Sequence, residues 1–347
     1  MRTRGFTLIE LMISLALFGL IAAGAMSLVI SGARMQTHSA RVDLAQTSLR
    51  TAIDFIARDI MAAAAGTNGG TLLVSGGSTV NAIAFDTTVN NITSTSPYVD
   101  NTERLELYNG DGSTLAQLTA AANGGVSALT ISYETAPTTT SPWQNNRFVA
   151  QTSPYPSFVE LFDPNAKSAA IVQLNSASGT ALSVAALPAS FAAYTTFVMP
   201  ARHVSYYVSN TTFGSTSTSN TSMLMMSLNG ATNTTNGAPL AEGVEDMQVA
   251  YGFDTNADNI VTENGAALND DEWLYNVVGG ETPTAQMTMA NLRTVRVTLV
   301  VKSTSIDSGS TAMPLRPQAE DHSAATSQDG FIRRVMRTEI AVRNMNL

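Results

Sequence analysis

Residues 5–33 read GFTLIELMISLALFGLIAAGAMSLVISGA, and between Phe6 and Ala33 the one ionisable side chain is Glu10. An apolar run of this length predicts a helix that spans a bilayer. Residues 6–30 would extend about 37 Å at roughly 1.5 Å per residue, enough for the hydrocarbon core. A carboxylate in such a helix is expensive to desolvate, so Glu10 marks a functional position. Arg2 and Arg4 precede the run. Positive charge there predicts that the N-terminus stays cytoplasmic while the bulk of the chain crosses the membrane. A secretory signal is cut after its apolar region. Here the small residue, Gly5, stands between the charged leader 1–5 and the apolar run, so a cut at Gly5 leaves the helix attached.

The helical period continues past the apolar run. Val42, Ala45, Leu49, Ala52, Ile53, Ile56 and Ile60 recur at three- and four-residue steps, with Arg50, Asp54 and Arg58 on the opposite face. Such a stripe predicts an amphipathic helix over residues 31–66 that one side of a globular body must cover. Gly66 and the run Asn68-Gly69-Gly70 supply its stop. Gly19 and Gly24 interrupt the first half, where small residues allow close helix packing.

Across 347 residues the hydrophobic fraction is 44%, the charged fraction 13% and the formal net charge −9. Lysine occurs twice, at Lys167 and Lys302. Nucleic acid is not an expected partner, because phosphate neutralisation needs clustered Lys and Arg. Cysteine is absent, which excludes disulfides, thiolate metal sites and thiol catalysis.

Residues 67–347 carry short β-branched or alternating runs between Gly, Asn, Ser, Thr and Pro clusters. Strands are expected at 72–74, 82–85, 104–108, 128–133, 170–174, 203–208, 223–228, 247–253, 292–302 and 334–342. The Pro- and Thr-rich stretch 134–158, with Trp143, Tyr155 and Phe158, reads as an extended loop whose aromatics fold back onto the core edge. Segments 209–222 and 229–238 read as polar loops. The expected class is α+β: a long N-terminal helix packed on a mainly antiparallel β body.

The segment Gly5-Phe6-Thr7-Leu8-Ile9-Glu10-Leu11 resembles the processing site of type IV prepilins and of type II secretion pseudopilins. Residues 241–254, 295–303 and 333–344 are similar to the PilW family of minor pilins, over a region taken as 240–347. The resemblance implies a pilin-like fold and cleavage after Gly5 by the prepilin peptidase, with methylation of Phe6. It also implies that Glu10 pairs with the Phe6 amine of a neighbouring subunit, with Thr7 beside them in the assembly segment. Implied partners are other minor pilins, the major pilin and a tip adhesin. The chain would reside in the inner membrane before assembly and in the pilus afterwards. A role in a tip or priming complex is the first expectation; a J-like secretion pseudopilin and a tip adhesin are the alternatives.

Two further chemistries were weighed on the residues. Asp254, Asn256 and Asp258 sit at positions 1, 3 and 5 of an EF-hand-like loop, spaced for one hard cation. Position twelve is Gly265 instead of the bidentate glutamate, with Glu263 or the cluster 269–272 as substitutes. The expectation is a polar hairpin loop with weak or no calcium binding, and no other cofactor. Catalysis is not expected: His38, His203 and His322 fall in unrelated contexts, and no nucleophile elbow, HExxH helix or phosphate loop occurs.

Overall fold

The computed structural model describes residues 8–63, 70–74, 77–85, 102–111, 115–133, 148, 157–209, 222–228, 237–263, 272–275, 281–303, 315–320, 322–326, 329, 331 and 333–342, with backbone alone at 34, 37–38, 40–42, 44–45, 48 and 133. Two compact units are present, Met1–Thr47 and Ser48–Leu347. Helix α1, Leu8–Ala62, contributes residues to both.

In the first unit α1 is rich in Leu, Ile, Ala and Met and contains no proline. Straight-chain and small side chains keep their rotamer freedom in a helix, which favours it without tertiary support. Ser14 Oγ donates to the Leu11 carbonyl at 3.0 Å, so this hydroxyl is satisfied inside the helix.

In the second unit the helical stripe is buried as its spacing predicts. Leu49, Ile53, Ile56 and Ile60 are at most 4% exposed, while Arg50, Asp54 and Arg58 face solvent. Burying those four side chains contributes roughly 8 kcal/mol, at about 2 kcal/mol each. Val42 and Ala45 lie where side chains are not described. The helix is described to Ala62, and the Ala63 N–H donates to the Asp59 carbonyl at 2.8 Å; residues 64–66, expected to continue it, lie outside the described residues. Tyr206 Oη donates to Asp59 Oδ2 at 2.6 Å, tying this last turn to a strand of the body.

Among the described residues fifteen strands make two sheets. In the larger sheet are β1 (Thr71–Val74), β2 (Thr79–Asn81), β3 (Leu105–Gly110), β4 (Ala116–Leu118), β5 (Ala128–Tyr133), β6 (Ser157–Asp163), β7 (Ser168–Ser178), β8 (Ala181–Val184), β9 (Phe197–Ser209), β10 (Met223–Leu228) and β11 (Ala238–Glu242). The smaller sheet has β12 (Val244–Phe253), β13 (Trp273–Leu274), β14 (Leu292–Lys302) and β15 (Arg333–Ala341), in the order β13-β12-β14-β15. All pairings are antiparallel except β1 with β7.

The larger sheet closes on itself. β4 pairs β5, β5 pairs β8, β8 pairs β7, β7 pairs β6, β6 pairs β9, and β9 pairs β4. This ring is a small antiparallel barrel. Its interior is filled by every second residue: Ala116 and Leu118, Leu129 and Ile131, Val159 and Leu161, Ala170, Val172 and Leu174, Leu182 and Val184, and Val198. Phe148, Leu187 and Phe191 pack against them from the connections. A barrel this narrow is plugged by its own side chains, so it is a core and not a channel.

Beyond the barrel β9 continues. Its residues 204–206 lie between β3 and β10, whereas residues 197–198 lie between β4 and β6. Gly243 then carries the chain from β11 in one sheet to β12 in the other. Its φ is +80°, and a Cβ there would meet the Lys302 carbonyl oxygen at 2.7 Å, so the junction admits only glycine without strain.

Several expectations need correction. Residues 82–85 do not form a strand. They run beside β3 with an isolated bridge at Ile83–Leu107, and all four side chains are buried. Phe85 stacks edge-on to Phe253, with ring centroids 5.0 Å apart, and Tyr251 Oη donates to the Ala84 carbonyl at 3.1 Å. Phe158, expected in a loop, is a half-buried residue of β6. Trp143 and Tyr155 lie outside the described residues. Residues 157, 158 and 238, placed in loops by composition, belong to strands β6 and β11.

One buried carboxyl stands out on β6. Glu160 is 1% exposed between Ile171 and Met199, and its Oε1 has no hydrogen-bond partner among the described residues. Desolvation pushes its pKa up to about 8 from 4.5. Below pH 4.5 the group is protonated in both states. As pH rises through about 8 the folded state loses the advantage of holding the proton, so stability falls over that window. Thermal melts from pH 5 to 8.5 should therefore show a declining Tm, and Glu160→Gln should remove a few kcal/mol of that decline. Parallel pH profiles for the two proteins would contradict the assignment.

Candidate functional site

The residues singled out for assembly lie at the start of α1. Glu10 is in its first turn. Gly5, Phe6 and Thr7 fall outside the described residues. Around Glu10 the helix presents its large apolar side chains to the exterior: Leu8 is 79% exposed, Phe18 71%, Leu20 74% and Leu28 76%. Residues Leu8–Ala33 are long and apolar enough to cross a membrane, by length and composition. A soluble surface rarely exposes a continuous apolar face of this size. The first unit is thus shaped for an apolar surrounding, lipid or other helices.

The polar chemistry of the body is concentrated on one face of the smaller sheet. Antiparallel register places Gln248, Thr298 and Arg337 on one rung and Ala250, Arg296 and Glu339 on the next. Arg296 is fully buried, an unusual place for a guanidinium. It is held by Glu320 Oε2 at 2.8 Å and by Glu263, whose two oxygens each accept at 3.0 Å. Its guanidinium carbon lies 3.9 Å from the centroid of the Trp273 ring. Burial opposes the charge, but the bonds to Glu263 and Glu320 outweigh it and raise the Arg296 pKa. The same bond holds Glu263 below the usual carboxylate range, against a smaller opposing effect of burial. Arg337 Nε reaches Glu320 Oε1 at 3.3 Å, and Thr298 Oγ1 donates to the same oxygen at 2.6 Å. A cleft of about 410 Å³ opens here, lined by Glu263, Tyr275, Gln318, Glu320 and Arg337.

A second cluster continues along that face. Asp246, buried on β12, accepts from Arg316 Nη1 at 3.1 Å and lies 2.7 Å from His322 Nδ1. Arg316 Nη2 lies 2.9 Å from His322 Nε2. With His322 neutral, Nδ1–H donates to Asp246 and Nε2 accepts from Arg316. Residues 315–320 and 322–326 are thereby fastened over the sheet by charge-assisted bonds. His203 is elsewhere, stacked on Tyr108 with centroids 4.5 Å apart, and His38 lies on α1.

The loop after β12 is built from side chain to backbone. Asn256 Oδ1 accepts the Asp258 N–H at 2.9 Å, Asp258 Oδ1 accepts the Ile260 N–H at 2.8 Å, and Asp254 Oδ2 accepts the Asn259 N–H at 3.2 Å. Ala257 and Asn259 adopt left-handed φ values of 63° and 64°. The two residues offered as substitute ligands are engaged differently. Glu263 is bonded to Arg296. Glu272 spends its carboxylate on the loop's backbone, accepting from Thr255 N–H at 2.8 Å and Thr262 N–H at 2.9 Å. Residues 264–271 lie outside the described residues. Among the described residues no three His, Asp or Glu side chains gather as metal ligands.

The chain is thus an apolar exposed helix followed by a body that is mostly β. Residues 205–344 match the family model for type IV pilus-assembly protein W, and residues 1–26 match the prokaryotic N-terminal methylation motif. Together these matches are those of a PilW-family pilin with a prepilin-type motif. Pilin-family domains are structural and not enzymatic in general, and the apolar helix with its motif fits an inner-membrane-anchored pilin. No curated protein matches the chain, and no solved structure does. Strands β1–β8 lie outside both matches, which resume at Ser205, inside β9.

The Arg296 cluster was not legible beforehand, although the Arg296 strand was. Alternating β-branched residues announced β14, but the acids that reach Arg296 come from 24 and 33 residues away in the chain. Breaking a buried pair costs more than weakening an exposed one. Glu320→Gln should therefore destabilise the protein by about 3 kcal/mol, whereas Glu263→Gln, at a side chain 47% exposed, should cost under about 1 kcal/mol. Chemical denaturation of the two variants checks this ordering.

Proposed function

We propose that this chain is a minor pilin, cut after Gly5 by the prepilin peptidase and drawn from the inner membrane into a type IV pilus. The observation that carries this reading is the exposed apolar helix with a single carboxylate, Glu10, at the start of a chain whose far end matches pilus-assembly protein W. In the membrane a carboxylate is costly to desolvate. A neighbouring subunit's new amine at Phe6 offers it an opposite charge, so pairing favours leaving lipid for the filament. Each contact is head-to-tail and does not close, which is the geometry a filament needs.

The position in the filament is read from bulk. The body from Ser48 to Leu347 includes a complete barrel in addition to the matched region. Repeating such a body along a shaft is sterically demanding, which supports a place at the tip or in the priming complex, beside other minor pilins and a tip adhesin. Before assembly the N-terminus lies inside and the body outside the inner membrane.

Replacing Gly5 with Val should leave an uncut precursor in the membrane, seen as retention of the five-residue leader by mass spectrometry. Glu10→Ala should be cut normally, yet its share in sheared pili should drop roughly tenfold or more, a factor equivalent to about 1.4 kcal/mol of lost pairing. Wild-type incorporation of Glu10→Ala would sink the pairing mechanism. Recovery of the protein in a secretion pseudopilus instead would favour the J-like reading.

A further inference from the structure

The loop that follows β12 has one feature that its internal hydrogen bonds leave unexplained. Asp254 is 2% exposed and its side chain is completely covered. Oδ2 is used twice, by the Asn259 N–H at 3.2 Å and by Arg293 Nη2 at 3.3 Å. Oδ1 is buried and has no hydrogen-bond partner among the described residues. Because the sister oxygen holds the N–H five residues onward, the carboxylate is turned into the loop, against the backbone of Asn259. A buried carboxylate oxygen with no donor is costly unless a cation supplies what the hydrogen bonds do not.

The surrounding donors are hard oxygens at calcium-loop spacing. Asn256 and Asp258 follow Asp254 at two-residue steps, and both are committed to backbone N–H groups through Oδ1 in the manner that curls such a loop. Left-handed φ falls at Ala257 and Asn259, the fourth and sixth positions. The sixth is where a calcium loop turns sharply and usually carries glycine. Keeping a non-glycine residue in that region has a cost, which a bound ion would offset. Glu272 clamps both ends of the loop, bonding Thr255 and Thr262, so the loop is held curled without itself using up Asp254.

We propose that residues 254–260 form a calcium site, with Asp254, Asn256 and Asp258 as side-chain donors, the Ile260 carbonyl as a main-chain donor, and water in the remaining positions. Calcium is favoured over magnesium because the donors are spread along a loop instead of forming an octahedron. The affinity is modest for two reasons. Arg293 neutralises part of the charge on Asp254, and among the described acids Glu263 and Glu272 are spent on Arg296 and on the backbone. That places the site in the extracellular class, with Kd about 10⁻⁴–10⁻³ M.

The test is calorimetric titration of calcium chloride into the full chain, purified in detergent and stripped with chelator. One saturable site in that range is expected. Asp258→Asn, at an exposed side chain whose change spares the core, should weaken binding roughly tenfold or more. Asp254→Asn should do the same, with circular dichroism confirming an unchanged fold. Absence of saturable binding up to about 10 mM calcium, or equal binding in both variants and the parent, would overturn the site. The outcome does not depend on filament assembly, so it stands apart from the pilin reading.

Discussion

Backbone hydrogen bonding along β9 is the constraint on which the body depends. A thirteen-residue strand buried over most of its length must find partners for both edges. It does so with four different strands: β4 and β6 at its start, β3 and β10 further on. The first pair closes a barrel and the second makes an open sheet. Tyr206, on the open-sheet half, also carries the bond to Asp59 of the helix. Barrel, sheet and helix stripe thus share one strand, and a register slip there would turn every interior side chain outward.

The smaller sheet solves a different problem. β12 is buried on nearly every residue, and its polar members need partners. Asp246 is satisfied by Arg316 and His322, and Arg296 of β14 by Glu263, Glu320 and the face of Trp273. Such pairs add little net stability over an apolar core. What they do is bind residues 315–320 and 322–326, which contribute no named strand or helix, to a defined place on the sheet. The matched PilW region is therefore held by charge geometry as well as by apolar burial, and loss of a buried charge such as Glu320 is the costly one.

The two units are governed by opposite rules. In the body apolar side chains are hidden; in residues 8–33 they are displayed. Display of that kind has meaning in lipid or among other helices. A calcium loop on the body would add a second dependence on surroundings, since free calcium differs between the two sides of a membrane.

Residues 8–62 were legible because helical periodicity is local: Leu49, Ile53, Ile56 and Ile60 recur at a spacing that only a helix brings to one face. The strands 128–133, 223–228 and 292–302 were legible at their observed bounds because short apolar or β-branched runs between turn residues are also a local signal. β4, β8 and β13 were not, because two to four residues hold too little alternation to announce a strand. Closure of the barrel was hidden as well, since it depends on pairings such as Leu118 with Ile131 and Ala116 with Val198 that no local pattern encodes. So the sequence by itself determined an anchored helix, its single carboxylate and a β-rich body. Tertiary structure alone decided which strands meet on β9, which acids find Arg296, and that Asp254 is left with an oxygen facing inward. Local periodicity follows from backbone geometry; partners at long separation follow from how a chain satisfies its buried hydrogen bonds once it has collapsed.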